Sequence, residues 1–254
     1  MLDLRRAETL EKLAFIMLDP AFVGEENALA AYELGSLKAY ESIQALVQAL
    51  EVEDTVLRVA ALDSLGYLGI QGIVPDILPF FKRRDLSLHV RHVGLLTLGE
   101  LPHPDALTVL VPALVSSEEP WLKWSAAIAL GGFDETFTHY LYPQLLEALL
   151  EAHQAQATAF NPFRSLAELA FQRLVSYESF QQYIHSIVFS ATRNAIQRLV
   201  DTPRHPLAHG RLRYEREPIT EPTLDIIRRQ AAQPDLPERF AGLAPQKLGW
   251  LLLN

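Results

Sequence analysis

The 254-residue chain contains no cysteine. That absence excludes a disulfide scaffold, a thiolate-ligated zinc or iron–sulfur site and a thiol nucleophile. Long hydrophobic runs are missing too: the apolar stretches fall well short of the ~20 residues that a bilayer-spanning helix needs. The patch Leu13–Leu18 is too short for a secretory core, and Glu8 and Glu11 interrupt what precedes it. A soluble, cytoplasmic protein is expected. A surplus of positive charge is also lacking. Lys and Arg number 22 against 31 Asp and Glu, for a net charge of −9. Residues 1–200 carry 14 basic and 24 acidic side chains, a net of −10, while residues 201–254 carry 8 and 7, a net of +1. Binding to a phosphate backbone is largely electrostatic, so an acidic body argues against nucleic acid as the partner.

Catalytic signatures are absent as well. The chain has no Gly-x-Ser-x-Gly elbow, no Gly-x-Gly-x-x-Gly and no Walker loop. Its histidines come close only as His89/His92, three apart on one helix, and as His205/His209, separated by Pro206. A metal needs three or four convergent ligands, which neither pair supplies. No catalytic residue, cofactor or metal is therefore assigned.

What is present is a repeat. Asn27–Gly35, Arg58–Gly66, Arg91–Gly99 and Lys123–Gly131 align, starting 31, 33 and 32 residues apart, and each closes on Leu-Gly. Between opener and glycine, Ala, Val, Leu and Ile recur at helical spacing, most plainly at Ala60, Ala61, Leu62 and Leu65. The glycine is expected to end this first helix at a position with positive φ. A second apolar-periodic helix follows in each unit: Ile43/Leu46/Val47/Leu50, Val74/Ile77/Leu78/Phe81, Leu107/Leu110/Val111/Leu114 and Leu141/Leu145/Leu149. Pro79, Pro112 and Pro143 fall 13, 13 and 12 residues after their glycines, either opening that helix or kinking it. Acidic turns at Glu53–Asp54, Asp85 and Glu118–Glu119–Pro120 are placed to start the next unit. A unit of this size cannot bury its own apolar face, so stacking must supply the core.

The run Leu57-Arg58-Val59-Ala60-Ala61-Leu62-Asp63-Ser64-Leu65-Gly66-Tyr67-Leu68-Gly69 resembles the short HEAT-like repeat of the PBS-lyase type, and Val90–Gly99 is the next best match. The resemblance covers roughly residues 20–152. It departs from the pattern at Asn27 and Lys123, where the repeat has arginine. It implies an all-α fold, an alpha-alpha superhelix, and specifies function poorly, since HEAT-like proteins include scaffolds, adaptors, pigment-lyase subunits and DNA-repair enzymes. The His-Glu pairs of the HEAT-like di-iron hydroxylases are missing here. The DNA glycosylases of this fold are basic, as this chain is not.

Beyond the repeats, residues 1–19 read as a capping helix and residues 153–200 as a degenerate fifth unit and cap, with Arg164 and Gln172 in the places of the basic residue and the glycine. The chain thus divides into a HEAT-like solenoid with caps over 1–200 and an irregular C-terminal arm over 201–254. The expected function is a non-enzymatic scaffold or adaptor that binds another protein, with self-association through the arm also possible. A bilin-lyase or chromophore-handling role and a DNA-binding or glycosylase role are the alternatives that the resemblance leaves open. Interface hot spots favour Trp, Tyr and Arg. The candidate contacts are Arg58, Tyr67, Arg91, His92, Trp121 and Trp124 in the repeats, where Lys123 beside the two tryptophans makes an aromatic–basic patch, and Arg211, Arg213 and Trp250 in the arm. For the recurring basic position a structural role has the stronger claim than ligand contact: covering the adjoining unit and pairing with its acidic turn.

Overall fold

The computed structural model describes residues 2–22, 25–155, 162–187 and 192–196. Among these there is no strand. Up to Ser186 twelve helices run in order, α1 (Leu2–Leu18), α2 (Glu25–Ser36), α3 (Ile43–Ala49), α4 (Thr55–Leu68), α5 (Val74–Phe81), α6 (Leu88–Glu100), α7 (Leu107–Ser116), α8 (Pro120–Leu130), α9 (Glu135–Thr138), α10 (Tyr142–Gln154), α11 (Pro162–Val175) and α12 (Glu178–Ser186), and residues 192–196 are helical as well. The expected all-α class and the HEAT-like alternation of first and second helices are present. None of these helices is long and apolar enough to cross a membrane. The arm at 201–254, with Arg211, Arg213 and Trp250, lies outside the described residues.

The described residues form two compact units, one of residues 2–70 and 82–94, the other of residues 71–81 and 95–196. In the first, α4 packs on α2 and α3, and α1 packs on α2 and α3. Every residue of α4 from Leu57 to Gly66 is buried. In α1, Leu10 and Met17 face inward, as expected of a capping helix. In the second unit, α8 is the centre and α7, α10 and α11 pack around it. Of the residues that periodicity marks in these second helices, Val74 and Ile77, Leu110 and Leu114, and Leu145 and Leu149 are buried, whereas Phe81 is half-buried and Phe80 beside it is buried instead.

Each second helix is entered through a 3-10 turn, at Tyr40–Ser42, Gln71–Ile73, Pro104–Ala106 and His139–Leu141. Pro143 sits in the first turn of α10, where its missing N–H costs nothing. Pro79 and Pro112 fall inside α5 and α7. The acidic turns have divergent roles. Asp54 caps α4, its carboxylate accepting from the Leu57 amide at 2.9 Å. Before α6 the cap is Ser87, whose Oγ accepts from the Val90 amide at 3.3 Å, and Asp85 is left to pair with arginine. At α8, Pro120 occupies the first turn and Glu119 makes no side-chain cap.

The glycines do not do what the spacing suggests. Gly35 lies within α2, and Gly131, just past α8, is in the right-handed helical region at φ −61°. The one described glycine with positive φ is Gly69, at 69°, which ends α4 three residues after the repeat position. The Leu-Gly glycines instead allow helices to touch. A Cβ on Gly35 would lie 2.8 Å from Ser64 Cβ, one on Gly99 2.5 Å from Ala129 Cα, and one on Gly131 2.8 Å from Ala170 Cβ. Ser64 and Ala129 each stand two residues before the glycine of their own repeat. Ala170 stands two before Gln172, which places Gln172 in the glycine position of a fifth unit. The register thus continues into α11.

Candidate functional site

At Arg58 and Arg91 the recurring basic position is held by backbone carbonyls. Arg58 is 5% exposed; its Nε donates to the Leu50 carbonyl at 3.0 Å and its Nη1 lies 3.6 Å from Asp85. Asp85 belongs to the turn before α6, so Arg58 ties two successive repeats together. Arg83 completes the network, donating to Asp85 and to Glu51, both at 2.8 Å. The hydrogen bond from Arg83 pulls the Asp85 carboxyl down to about 2. Arg91 repeats the pattern one unit on, donating from Nε to the Leu86 carbonyl at 3.2 Å and from Nη2 to the Arg83 carbonyl at 3.5 Å. These contacts are the structural ladder rather than an open binding face. Tyr67 is half-buried in α4, and His92 is half-buried with its ring 6.2 Å from that of His89. No group of three or more His, Asp or Glu able to hold a metal occurs among the described residues.

Trp121 and Trp124 behave differently. One turn apart on α8, they converge on one ring, that of Phe163 in the first turn of α11. Both contacts are edge-to-face, at centroid distances of 5.3 and 5.4 Å. Trp124 is half-buried and donates from Nε1 to Glu151 of α10 at 3.3 Å. Phe163 is 3% exposed, whereas Trp121 keeps 44% of its surface in solvent. Phe163 and Glu151 were not among the sequence candidates: they lie 39 and 27 residues from Trp124, and no local pattern links them to it. In the repeat register Trp121 and Trp124 take the places of His89 and His92 in the preceding unit, and of Val56 and Val59 before that. An aromatic pair at this register is thus a departure from the repeat.

The charges at this end of the helices also differ from expectation. Lys123 had suggested an aromatic–basic patch. Yet Glu118, Glu119, Glu147 and Glu151 are all exposed there, and Lys123 is half-buried. Arg164 is engaged by Glu168 at 3.2 Å, and the same carboxylate oxygen takes His153 Nε2 at 3.1 Å. The patch is aromatic and acidic.

A second polar cluster closes the same unit. Ser179 of α12 donates to Glu135 of α9 at 2.5 Å, so the Tyr142 hydroxyl, 2.6 Å from Ser179 Oγ, is the donor in that pair. Tyr142 also meets the Phe180 ring at 4.8 Å. Tyr177 donates to the Phe133 carbonyl at 3.3 Å, and burial, followed by Asp134 and Glu135, pushes its phenol upward. All these groups hold one another, and the cluster reads as a clasp binding α12 to α9 and α10.

No family model and no curated protein matches the sequence. Among solved structures, the chain is similar to one from the complex of CpcE and CpcF of phycocyanin lyase from Nostoc sp. PCC7120, at 24% identity and a TM-score of 0.42, over 63% of this chain and 99% of that one. An overlap this loose says nothing of activity; the HEAT-like character of the chain rests on its own helix pairs and on the spacing of its repeats.

Proposed function

We propose that the chain is a recognition protein, which binds another protein through the aromatic end of its second unit, with Trp121 as the anchor. The observation that carries this reading is the state of Trp121: a large indole held by an edge-to-face contact and a buried neighbour, yet 44% exposed. An ordered tryptophan in water loses little side-chain entropy on binding and offers a large apolar area, which is why such residues dominate interfaces. The test is co-purification from the native host, with quantified recovery of bound proteins. Trp121→Ala should lower recovery of a specific partner by more than about tenfold, the loss of one hot spot. Equal recovery with wild type and variant would reject the reading.

A second reading, chromophore handling, is favoured by the match of Leu57–Gly69 to the PBS-lyase-type repeat. It predicts that the purified chain binds a bilin and shifts its visible absorption. An unchanged spectrum on mixing would remove it.

A further inference from the structure

We infer that the partner presents arginine beside an apolar side chain, so that the Trp121 end takes a basic, apolar peptide segment. This rests on the recognition reading and goes further, by naming the chemistry of the occupant. The placement follows from the chain path. Only residues 117–119 join α7 to α8, so Val115 near the end of α7 and Trp121 at the start of α8 lie at the same end of the pair. Both are exposed, at 52% and 44%. The contacts of Trp124 with Glu151, and of both indoles with Phe163, bring the last turns of α10 and the first turn of α11 to that end.

Around the apolar surface the exposed carboxylates outnumber the bases: Lys123 is half-buried and Arg164 is engaged by Glu168. Glu118 and Glu119 immediately precede α8, and Glu147 and Glu151 stand one turn apart on α10. None of the four makes an ion pair among the described residues; Glu151 accepts from an indole N–H. Two carboxylates of the first unit, Glu51 and Asp85, are by contrast engaged by arginines. Exposed indole next to uncommitted carboxylates suits a guanidinium, whose plane stacks on the ring while its N–H fork meets an oxygen pair. An ammonium has no such plane, and an acidic or phosphorylated segment would be repelled.

The experiment uses the full chain and two labelled probes, a blocked hexapeptide alternating arginine and leucine and its counterpart with glutamate for arginine. Fluorescence polarisation reads binding. The arginine peptide should bind and the glutamate peptide should not. The double variant Glu118→Gln/Glu119→Gln should weaken binding about fivefold, with a shallower salt dependence, and Trp121→Ala should weaken it by more than about tenfold. Glu25→Gln/Glu26→Gln, at the exposed start of α2, should leave it unchanged, which separates a local site from the attraction of an acidic protein. Melting curves confirm that each variant is folded. Absence of binding, equal binding of both peptides, or equal weakening by the α2 pair would overturn the inference. If the host partner is lost with Trp121→Ala but retained with Glu118→Gln/Glu119→Gln, recognition stands and the basic partner falls. If Trp121→Ala changes neither assay, both fall.

Discussion

Arg58 in the first unit and Trp121 in the second are both large side chains of interface type at the start of a repeat's first helix, and their fates are opposite. Arg58 is 5% exposed, bonded to the Leu50 carbonyl and close to Asp85 of the following turn. Trp121 is 44% exposed and closely follows the exposed Glu118 and Glu119 along the chain. The difference follows from recurrence. A basic residue stands at the Arg58 position in three units, and at Arg58 and Arg91 it donates to backbone carbonyls that precede its own helix. Tryptophan stands at the Trp121 position in one unit, where stacking does not require it. In a repeat chain, recurrence marks what holds neighbours together, and departure from the repeat marks what is free to meet something else.

Substitutions can break or sharpen this contrast. The largest effect is expected at the recurring glycine. Gly99→Val would drive a Cβ to 2.5 Å from Ala129 Cα, a clash with backbone that must move helices, and should cost about 3 kcal/mol in urea unfolding. Gly72→Ala, with nothing within 4 Å of the added carbon, should stay within about 0.5 kcal/mol of wild type. Comparable losses at both would show that the glycines act through backbone freedom after all. Next comes Arg58→Ala. It removes the bond to the Leu50 carbonyl and leaves that acceptor buried, at about 2 kcal/mol by the same assay. Trp121→Ala should cost about 1 kcal/mol, since 44% of the residue's surface is already in water and the change loses chiefly its contact with Phe163. If Trp121 proved costlier to remove than Arg58, the contrast between ladder and site would be reversed.

The smallest effect is one of pH. The folded Asp85 carboxyl titrates at about 2, below its ordinary 3.8, because Arg83 donates to it. A depressed carboxyl contributes stability that is full above the ordinary value and is lost as the pH falls from 3.8 through about 2. Asp85→Asn should therefore flatten the stability profile across that interval and leave its slope near neutrality unchanged, as read by melting temperature against pH. An unaltered profile would mean that the Arg83–Asp85 pair does not persist in solution.

Much of the fold was legible in the repeats, because burial of apolar residues at helical spacing is a local pattern: Ile77, Leu110 and Leu145 all fall where periodicity places them. The role of the glycines was misread. A Leu-Gly ending suggests a left-handed cap, but what selects glycine at 35, 99 and 131 is a neighbouring helix about 30 to 40 residues further on, which no local pattern displays. The site was half legible. Two tryptophans at one-turn spacing stood out, whereas Phe163, Glu151 and the acidic frame arrive from other helices through tertiary packing. The nearby Lys123 pointed to the wrong sign of charge.

The central claim is that Trp121 marks the surface that meets a partner. It is tested most directly by placing a photo-crosslinking amino acid at Val115, which lies at the same end of α7 and α8 as Trp121 and is 52% exposed, and, in a second protein, at Tyr140, which lies in the same unit and is 56% exposed. Irradiation in the native host should yield a discrete crosslinked species from position 115 and none from position 140. The same species from both positions, or from neither, would contradict the claim.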